Sequence, residues 1–380
     1  MAAGHSHEIG REWGGIISIG PRLVQTFCRS GAGEPLAQTG FYPRIHGYMK
    51  LLSPALVTGA SGFVGSHLSE RLARQKIKVK LLVRRTSRLP FKPNSSMELC
   101  YGDVTDLESL QKAIKGVKVV YHLAGLLRGA DFSAYQKVNA EGTRNVCRAM
   151  EGEKGARRLI YVSSLSAAGP SRRGEELNET APCNPVSFYG RTKRLGEEIV
   201  LSYGKKIDVS ILRPGAVYGP RETDIFEYFK MVRRGVVVNN GDGTQRVSFI
   251  YVDDLVEAIL LAARSPRARG QIYFVSDGKD LDWNELSAFI GKALKKTYKT
   301  FNVPLGIVRM VASLGDLSTR WMGKSFLPPI VSGDKIKEGA APGWVCNNQK
   351  IHRELGFKPK FDIAKGIQKT AEFYQSAGWL

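Results

Sequence analysis

The stretch ALVTGASGFVG, Ala55 to Gly65, places Gly59, Gly62 and Gly65 at regular three-residue intervals directly after a short apolar run. Glycine loses more backbone freedom on folding than any other residue, so such a cluster is useful where a side chain would obstruct something. At a strand-to-helix junction that something is a phosphate, which binds backbone N–H groups and a helix N-terminus when no β-carbon intervenes. The spacing is G-x-x-G-x-x-G rather than the commoner G-x-G-x-x-G. Its weight comes from its place between a first strand and a helix carrying Leu68 and Leu72 on one face. A plain tight turn is the competing reading.

Outward from this turn the chain alternates between strand and helix patterns. VKLLVRR (79–85), MELCYGDV (97–104), VKVVYHLAG (117–125), RLIYVSS (158–164) and VSILRPGAVYG (209–219) read as successive strands, and SFIYVDDLVEAILLAARS (248–265) and GQIYFVSDG (270–278) continue the series. Near-continuous apolar runs suit strands buried on both faces, and their alternation with helices predicts an α/β fold with a doubly wound parallel sheet. The expected organisation is a nucleotide-binding domain over 49–278, to which 220–246 adds part of a substrate lobe, and a smaller C-terminal α/β lobe over 279–380. Residues 1–48 lack periodicity and are expected to be a disordered extension or an over-long start.

Composition narrows the class. The 380 residues are 43% hydrophobic and carry a formal charge of +21. Residues 1–48 hold Arg11, Arg22, Arg29 and Arg44 against Glu8, Glu12 and Glu34, so the excess lies almost wholly beyond them. Its doublets, such as Arg157-Arg158, Arg172-Arg173, Arg233-Arg234 and Lys295-Lys296, are scattered, which fits a solvated basic surface rather than a nucleic-acid stripe. No apolar run is long enough to span a bilayer. Cys28, Cys100, Cys147, Cys183 and Cys346 lie far apart without metal-ligand spacing, and read as reduced thiols of a cytoplasmic protein with no metal site.

The second strand ends in Arg84-Arg85, where a carboxylate would select the free ribose of NAD. Arginine there suits a 2′-phosphate, so NADP is favoured over NAD. Asp103, in YGDVTD, is placed to accept from the adenine amino group, although Asp106 is the better helix cap. In SFYGRTKRLGEEI, Tyr189 and Lys193 lie four apart at the start of a helix and share a face. A cation beside a phenol favours phenolate and brings its titration toward working pH, so the pair can move a proton at a carbonyl oxygen. A hydroxyl partner is expected from YVSSLSAAGP, which offers Ser163, Ser164 and Ser166. Alternation sends Ser163 and Ser164 to opposite faces, and spacing alone leaves open which one faces the nicotinamide.

With TGASGFVG, GDVTD, HLAG, VNAEGTRNV, VSSLSAAG, YGRTK, RPGAVYGP and YVDDLVEAI in this order, the chain resembles the extended short-chain dehydrogenase/reductase family, densely over about 50–280. The resemblance implies a Rossmann sheet of about seven strands. It picks Ser164 as the hydroxyl that polarises a substrate carbonyl, Tyr189 as acid/base and Lys193 as the holder of the nicotinamide ribose. It also implies that the cofactor is lined by the glycine turn with Ser61, Phe63 and Val64, by Asp103 and Val104, by Leu123, Ala124 and Gly125, and by Pro214 and Gly215.

Departures from the family pattern bear on the substrate. Leu165-Ser166 stand where sugar dehydratases of the family carry an Asp-Glu pair. The position at which nucleotide-sugar epimerases place a diphosphate-gripping arginine is Val247, and Arg246 is one residue off, which in a strand means the opposite face. VPLGIVRMVASLGDLSTRWMG (303–323) resembles the apolar lid of the 3β-hydroxysteroid dehydrogenase and dihydroflavonol reductase branches. The expected activity is therefore NAD(P)-dependent hydride transfer at a hydroxyl or ketone of a hydrophobic small molecule. Nucleotide-sugar epimerisation with tightly held NAD is the alternative. A non-catalytic NADP-sensing or RNA-binding module would show a broken Ser/Tyr/Lys set, and this set is intact. The expected partners are a small-molecule substrate, a second copy of the chain and, through 303–323, a membrane surface; no nucleic acid is expected.

Overall fold

A computed structural model describes residues 50–308, 310 and 333–380. Residues 1–48, Cys28 and most of the 303–323 stretch lie outside the described residues. Seven strands form one parallel sheet: β1 (Ala55–Thr58), β2 (Val79–Val83), β3 (Met97–Tyr101), β4 (Val119–His122), β5 (Arg158–Val162), β6 (Asp208–Pro214) and, closing the far edge, the later strand Gln271–Val275. Their spatial order has β1 between β2 and β4, with β5, β6 and Gln271–Val275 following on the β4 side and β3 on the other edge. The order reverses at β1, and the crevice at that switch point, beyond the strand C-termini, is where an open α/β sheet binds ligands.

The glycine turn leads from β1 into helix α1 (Phe63–Arg74). Helix α2 (Leu107–Ile114) is capped by Asp106, whose carboxylate accepts from the N–H groups of Glu108 and Ser109. The next helix starts as α3 (Phe132–Gln136), passes through one π-turn at Lys137–Glu141 and runs on as α4 (Gly142–Glu151). Helix α5 (Phe188–Ser202) is capped by Ser187, which accepts from Gly190 N–H. These helices cover the sheet on two sides. Leu68, Leu72, Leu255 and Ile259 pack one face; Leu110, Val146 and Val200 pack the other.

Two strand expectations are corrected. MELCYGDV does form β3, but Leu99 and Tyr101 are exposed, because β3 is an edge strand whose outer side no helix covers completely. The run 209–219 is two strands rather than one. The chain breaks at Gly215 between β6 and β7 (Ala216–Tyr218), where a β-carbon would stand 2.3 Å from the Ser248 carbonyl oxygen. β7 then leaves the main sheet.

It joins a second sheet through β9 (Arg246–Tyr251), which follows α6 (Asp224–Arg233) and β8 (Val236–Asn240). Helix α7 (Val252–Arg264) returns the chain to the main sheet as β10 (Gln271–Val275). The strand expected within 248–265 thus serves the second sheet, together with β11 (Asp280–Leu281), which pairs antiparallel to β9. Helix α8 (Trp283–Leu294) leads to β12 (Lys299–Val303), which pairs in parallel with β8 as a separate two-stranded sheet. The described remainder comprises α9 (Gly333–Gly339), β13 (Gly343–Trp344) on β9, α10 (Gln349–Leu355) and α11 (Ile363–Ser376). Tyr218, Phe229, Phe249, Leu286 and Tyr374 form a third core where α6, α8 and α11 meet the second sheet. Of the 303–323 stretch, Val303 ends β12 and Leu305–Val308 are helical.

Candidate active site

A cavity of about 740 Å³ opens beyond the C-terminal ends of the main-sheet strands. At its β1 end Gly59 adopts φ +73°, and a β-carbon there would stand 2.7 Å from Ala124 N. A β-carbon at Gly65 would stand 2.1 Å from the Gly59 carbonyl oxygen. Gly62 caps α1 with no side chain, and no acid occupies the first helical turn. The turn is therefore a bare backbone cradle at a positive helix end, the shape and polarity a dinucleotide diphosphate requires.

Ser61, Gly62, Phe63 and Val64 line the cavity with Gly59 and Gly65. So do Asp103 and Val104 after β3, Leu123, Ala124 and Gly125 after β4, and Pro214 and Gly215 at the β6–β7 break. Asp103 accepts from Thr105 N–H and Oγ1. Arg84 lines the cavity at the end of β2 and makes no ion pair among the described residues. Arg85 departs from the expectation. Its guanidinium lies over the exposed Tyr101 ring, 5.1 Å from the centroid, and it does not line the cavity.

Both serines line the cavity, but their hydroxyls take different partners. Ser163 Oγ donates to Glu197 Oε1 at 2.6 Å, inside a buried network in which Arg213 Nε and Nη2 donate to the same carboxylate at 2.8 and 2.6 Å. Burial works against the Glu197 charge, but Arg213 holds its carboxyl below the ordinary range. Ser164 stands at the cavity wall with Tyr189 and accepts from Ser166 N–H at 3.1 Å.

Tyr189 and Lys193 occupy one face of α5, and both line the cavity. Lys193 Nζ donates to the Val162 carbonyl at 2.8 Å and lies 4.2 Å from the Tyr161 ring centroid. Burial pulls the ammonium down to about 7, against the raising effect of Glu197. The phenol does not behave as the spacing suggested. Burial pushes Tyr189 up to about 12, and the cation that opposes this is Lys335, followed by the nearby Ser164 hydroxyl. The Lys193 charge is directed at Val162 and Tyr161 instead.

Lys335 is the main residue the sequence reading missed. It comes from α9, which is fastened to the start of α5. Asp334 accepts from Phe188 N–H at 2.6 Å and Tyr189 N–H at 3.4 Å, and Ser187 Oγ donates to Glu338 at 2.7 Å. No spacing rule links these segments, so no local signal could have found Lys335. Glu197 could have been found, because it continues the i, i+4 series from Tyr189 and Lys193.

Beyond the proton-handling groups the wall turns aromatic and apolar. Tyr228 and Trp283 stack at 4.9 Å, and Trp344, Ile225, Val247 and Leu126 join them. Arg128 pairs with Asp224, and Lys335 with Glu338. Val247 faces the cavity, while Arg246 is held outside by Asp280 at 2.6 Å and Glu285 at 2.8 Å. Asn139 fixes the loop after β4, accepting from Leu126 N–H at 2.7 Å and donating to Thr192 Oγ1 at 3.1 Å. Among the described residues there is no cluster that could hold a metal ion. Among them also, no helix is long and apolar enough to cross a membrane.

The family model described as NAD dependent epimerase/dehydratase family matches residues 55–276. Ceramide reductase of Caulobacter vibrioides (strain NA1000 / CB15N) is 29% identical over 328 residues, spanning 85% of this chain and 95% of that protein. N-acetyl-alpha-D-glucosaminyl-diphospho-ditrans,octacis-undecaprenol 4-epimerase of Escherichia coli O157:H7 is 29% identical over 325 residues, spanning 84% of this chain and 94% of that protein. Among solved structures, MoeE5 in complex with UDP-glucose and NAD superimposes with a TM-score of 0.69 at 26% identity, covering 85% of this chain and 99% of that one.

Proposed function

The chain belongs to the NAD dependent epimerase/dehydratase family, and from that premise we propose that it is an oxidoreductase acting at a ketone or secondary hydroxyl of a hydrophobic, lipid-like molecule. The observation that carries this reading is that Ser164, Tyr189 and Lys193 all line one wall of the cavity, between the glycine cradle and the aromatic pocket. A nicotinamide dinucleotide supplies or takes up the hydride when bound, and the cradle fits its diphosphate. Ser164 donates to the substrate oxygen and orients it. Tyr189, a protonated phenol at neutral pH, gives that oxygen its proton, which is the role that reduction of a ketone requires. Lys193 is the residue that would hold the nicotinamide ribose.

Arg84 supports a preference for NADP, since it follows β2 with no carboxylate next to it in sequence and no ion pair among the described residues. The aromatic lining supports an apolar substrate. So do the names of two relatives, one acting on a ceramide and one on a polyprenyl diphosphate sugar. The second relative favours epimerisation, and the UDP-glucose complex favours its nucleotide-sugar form with tightly held NAD as a further reading. Against it stands Arg246, locked to Asp280 and Glu285 outside the cavity.

The test is to denature the purified protein, analyse any released dinucleotide, and measure NADPH oxidation with long-chain ketones, an N-acylated 3-ketosphinganine among them. NADPH consumption without stoichiometric retained NAD is expected. Retained NAD with no NADPH consumption would overturn the reading in favour of epimerisation.

A further inference from the structure

The β8–β12 pair exposes a face that the core does not explain. Along β8 burial alternates, so Val237 and Asn239 point inward while Val236, Val238 and Asn240 point outward. β12 lies against it in register, pairing Val236 with Lys299 and Val238 with Phe301. Val236 and Val238 are each 41% exposed and Phe301 54%. Ile307 and Met310, just past the end of β12, are more exposed than the two valines. Scattered apolar residues on a surface need no explanation; a contiguous group does.

The segments that lead into this face are basic. Across 233–240 and 292–303 the chain carries Arg233, Arg234, Lys292, Lys295, Lys296 and Lys299, with no aspartate or glutamate. All six are exposed, and none is ion-paired among the described residues. Arg233 and Lys296 line one shallow hollow, which brings the two segments' cations together. An apolar face with a cluster of cations at the start of both its strands matches a surface that is apolar beneath an anionic layer. The face also leads to the cavity: Asn240, at the end of β8, lines it, and Gly241 N–H donates to the Val303 carbonyl at 2.8 Å.

We propose that the β8–β12 face docks on an anionic lipid bilayer, with Val236, Val238 and Phe301 entering the headgroup boundary and the six cations contacting lipid phosphates. This goes beyond the redox reading and does not depend on it. It places the cavity mouth at the membrane surface.

The test is co-sedimentation of the full-length protein with vesicles of phosphatidylcholine alone, and with vesicles in which about a third of the lipid is phosphatidylglycerol. Binding to the anionic vesicles that weakens with added salt is expected, with little binding to the neutral ones. Joint Val238→Glu and Phe301→Glu substitution, at exposed positions that leave the melting temperature unchanged, is expected to cut binding about tenfold or more. Joint Lys295→Glu, Lys296→Glu and Lys299→Glu substitution is expected to cut it similarly while leaving the apolar face intact. Wild-type protein that ignores anionic vesicles, or binds them as well after both sets of substitutions, overturns the proposal. So does a wild-type dimer that the Val238 and Phe301 substitutions dissociate, which would make a second copy of the chain the occupant.

Discussion

The Lys335 ammonium lies 5.7 Å from the centre of the Tyr189 ring, brought there by a helix that reaches the site from the C-terminal part of the chain. Burial works against its charge, but Glu338 holds Lys335 above the ordinary lysine range, so it stays a cation. Ser164, Glu338, Tyr135 and Tyr161 also act on the phenol. A cation favours phenolate, so its removal raises the phenol's titration point. In protein carrying the more acidic 3,5-difluorotyrosine at position 189, Lys335→Met should move the fluorine NMR titration to higher pH, and Lys335→Arg should leave it near wild type. Identical titrations for Met and wild type would remove Lys335 from the electrostatics of the site.

The division of Ser163 from Ser164 gives opposite signatures. Ser163→Ala deprives the buried Glu197 carboxylate of a donor, which should cost about 1–3 kcal/mol of stability in denaturant titrations and leave turnover near wild type. Ser164→Ala should lower kcat about a hundredfold at a smaller stability cost. The reverse pattern would mean that Ser163 serves the reaction.

Lys193 makes stability depend on pH. Its folded titration point, about 7, lies well below the ordinary lysine value, so from about pH 7 upward to that value the unfolded chain binds more protons. The stability contributed by this group is therefore lowest below about pH 7 and rises with pH through the window. The stability difference between wild type and Lys193→Met should accordingly shift in favour of wild type on going from neutral to alkaline pH, measured in urea titrations. A difference that is flat with pH would show that Lys193 titrates normally.

Arg84 and Arg85 should separate in binding assays. Arg84→Ala is expected to weaken NADPH binding about tenfold or more, through loss of a charge-assisted contact to the 2′-phosphate, while leaving NADH binding nearly unchanged. Arg85→Ala, which removes a cation from the Tyr101 ring, should have a smaller effect on NADPH. Equal losses for both dinucleotides after Arg84→Ala would contradict the phosphate role, as would greater NADPH loss from Arg85→Ala.

What could be read in advance was local. The glycine turn, the i, i+4 relation of Tyr189 and Lys193 and the parity that turns Arg246 outward all follow from the repeat of one helix or one strand. What could not be read depends on distant partners. The exposure of Leu99 and Tyr101 comes from β3 having a neighbour on one side only. The break at Gly215 comes from the approach of Ser248, a residue of the second sheet. The titration of Tyr189 was misjudged because a spacing argument counts a charge but not the burial that opposes it or the carbonyl that diverts it.

Tyr189, Lys193 and Glu197 are carried by α5 at successive four-residue steps. One residue inserted or deleted between Tyr189 and Glu197 would turn everything downstream by about 100° relative to what precedes it. The phenol, the lysine and the carboxylate that anchors Arg213 would then lose their common side in a single event. The length of this stretch is therefore as much a part of the site as the side chains it carries.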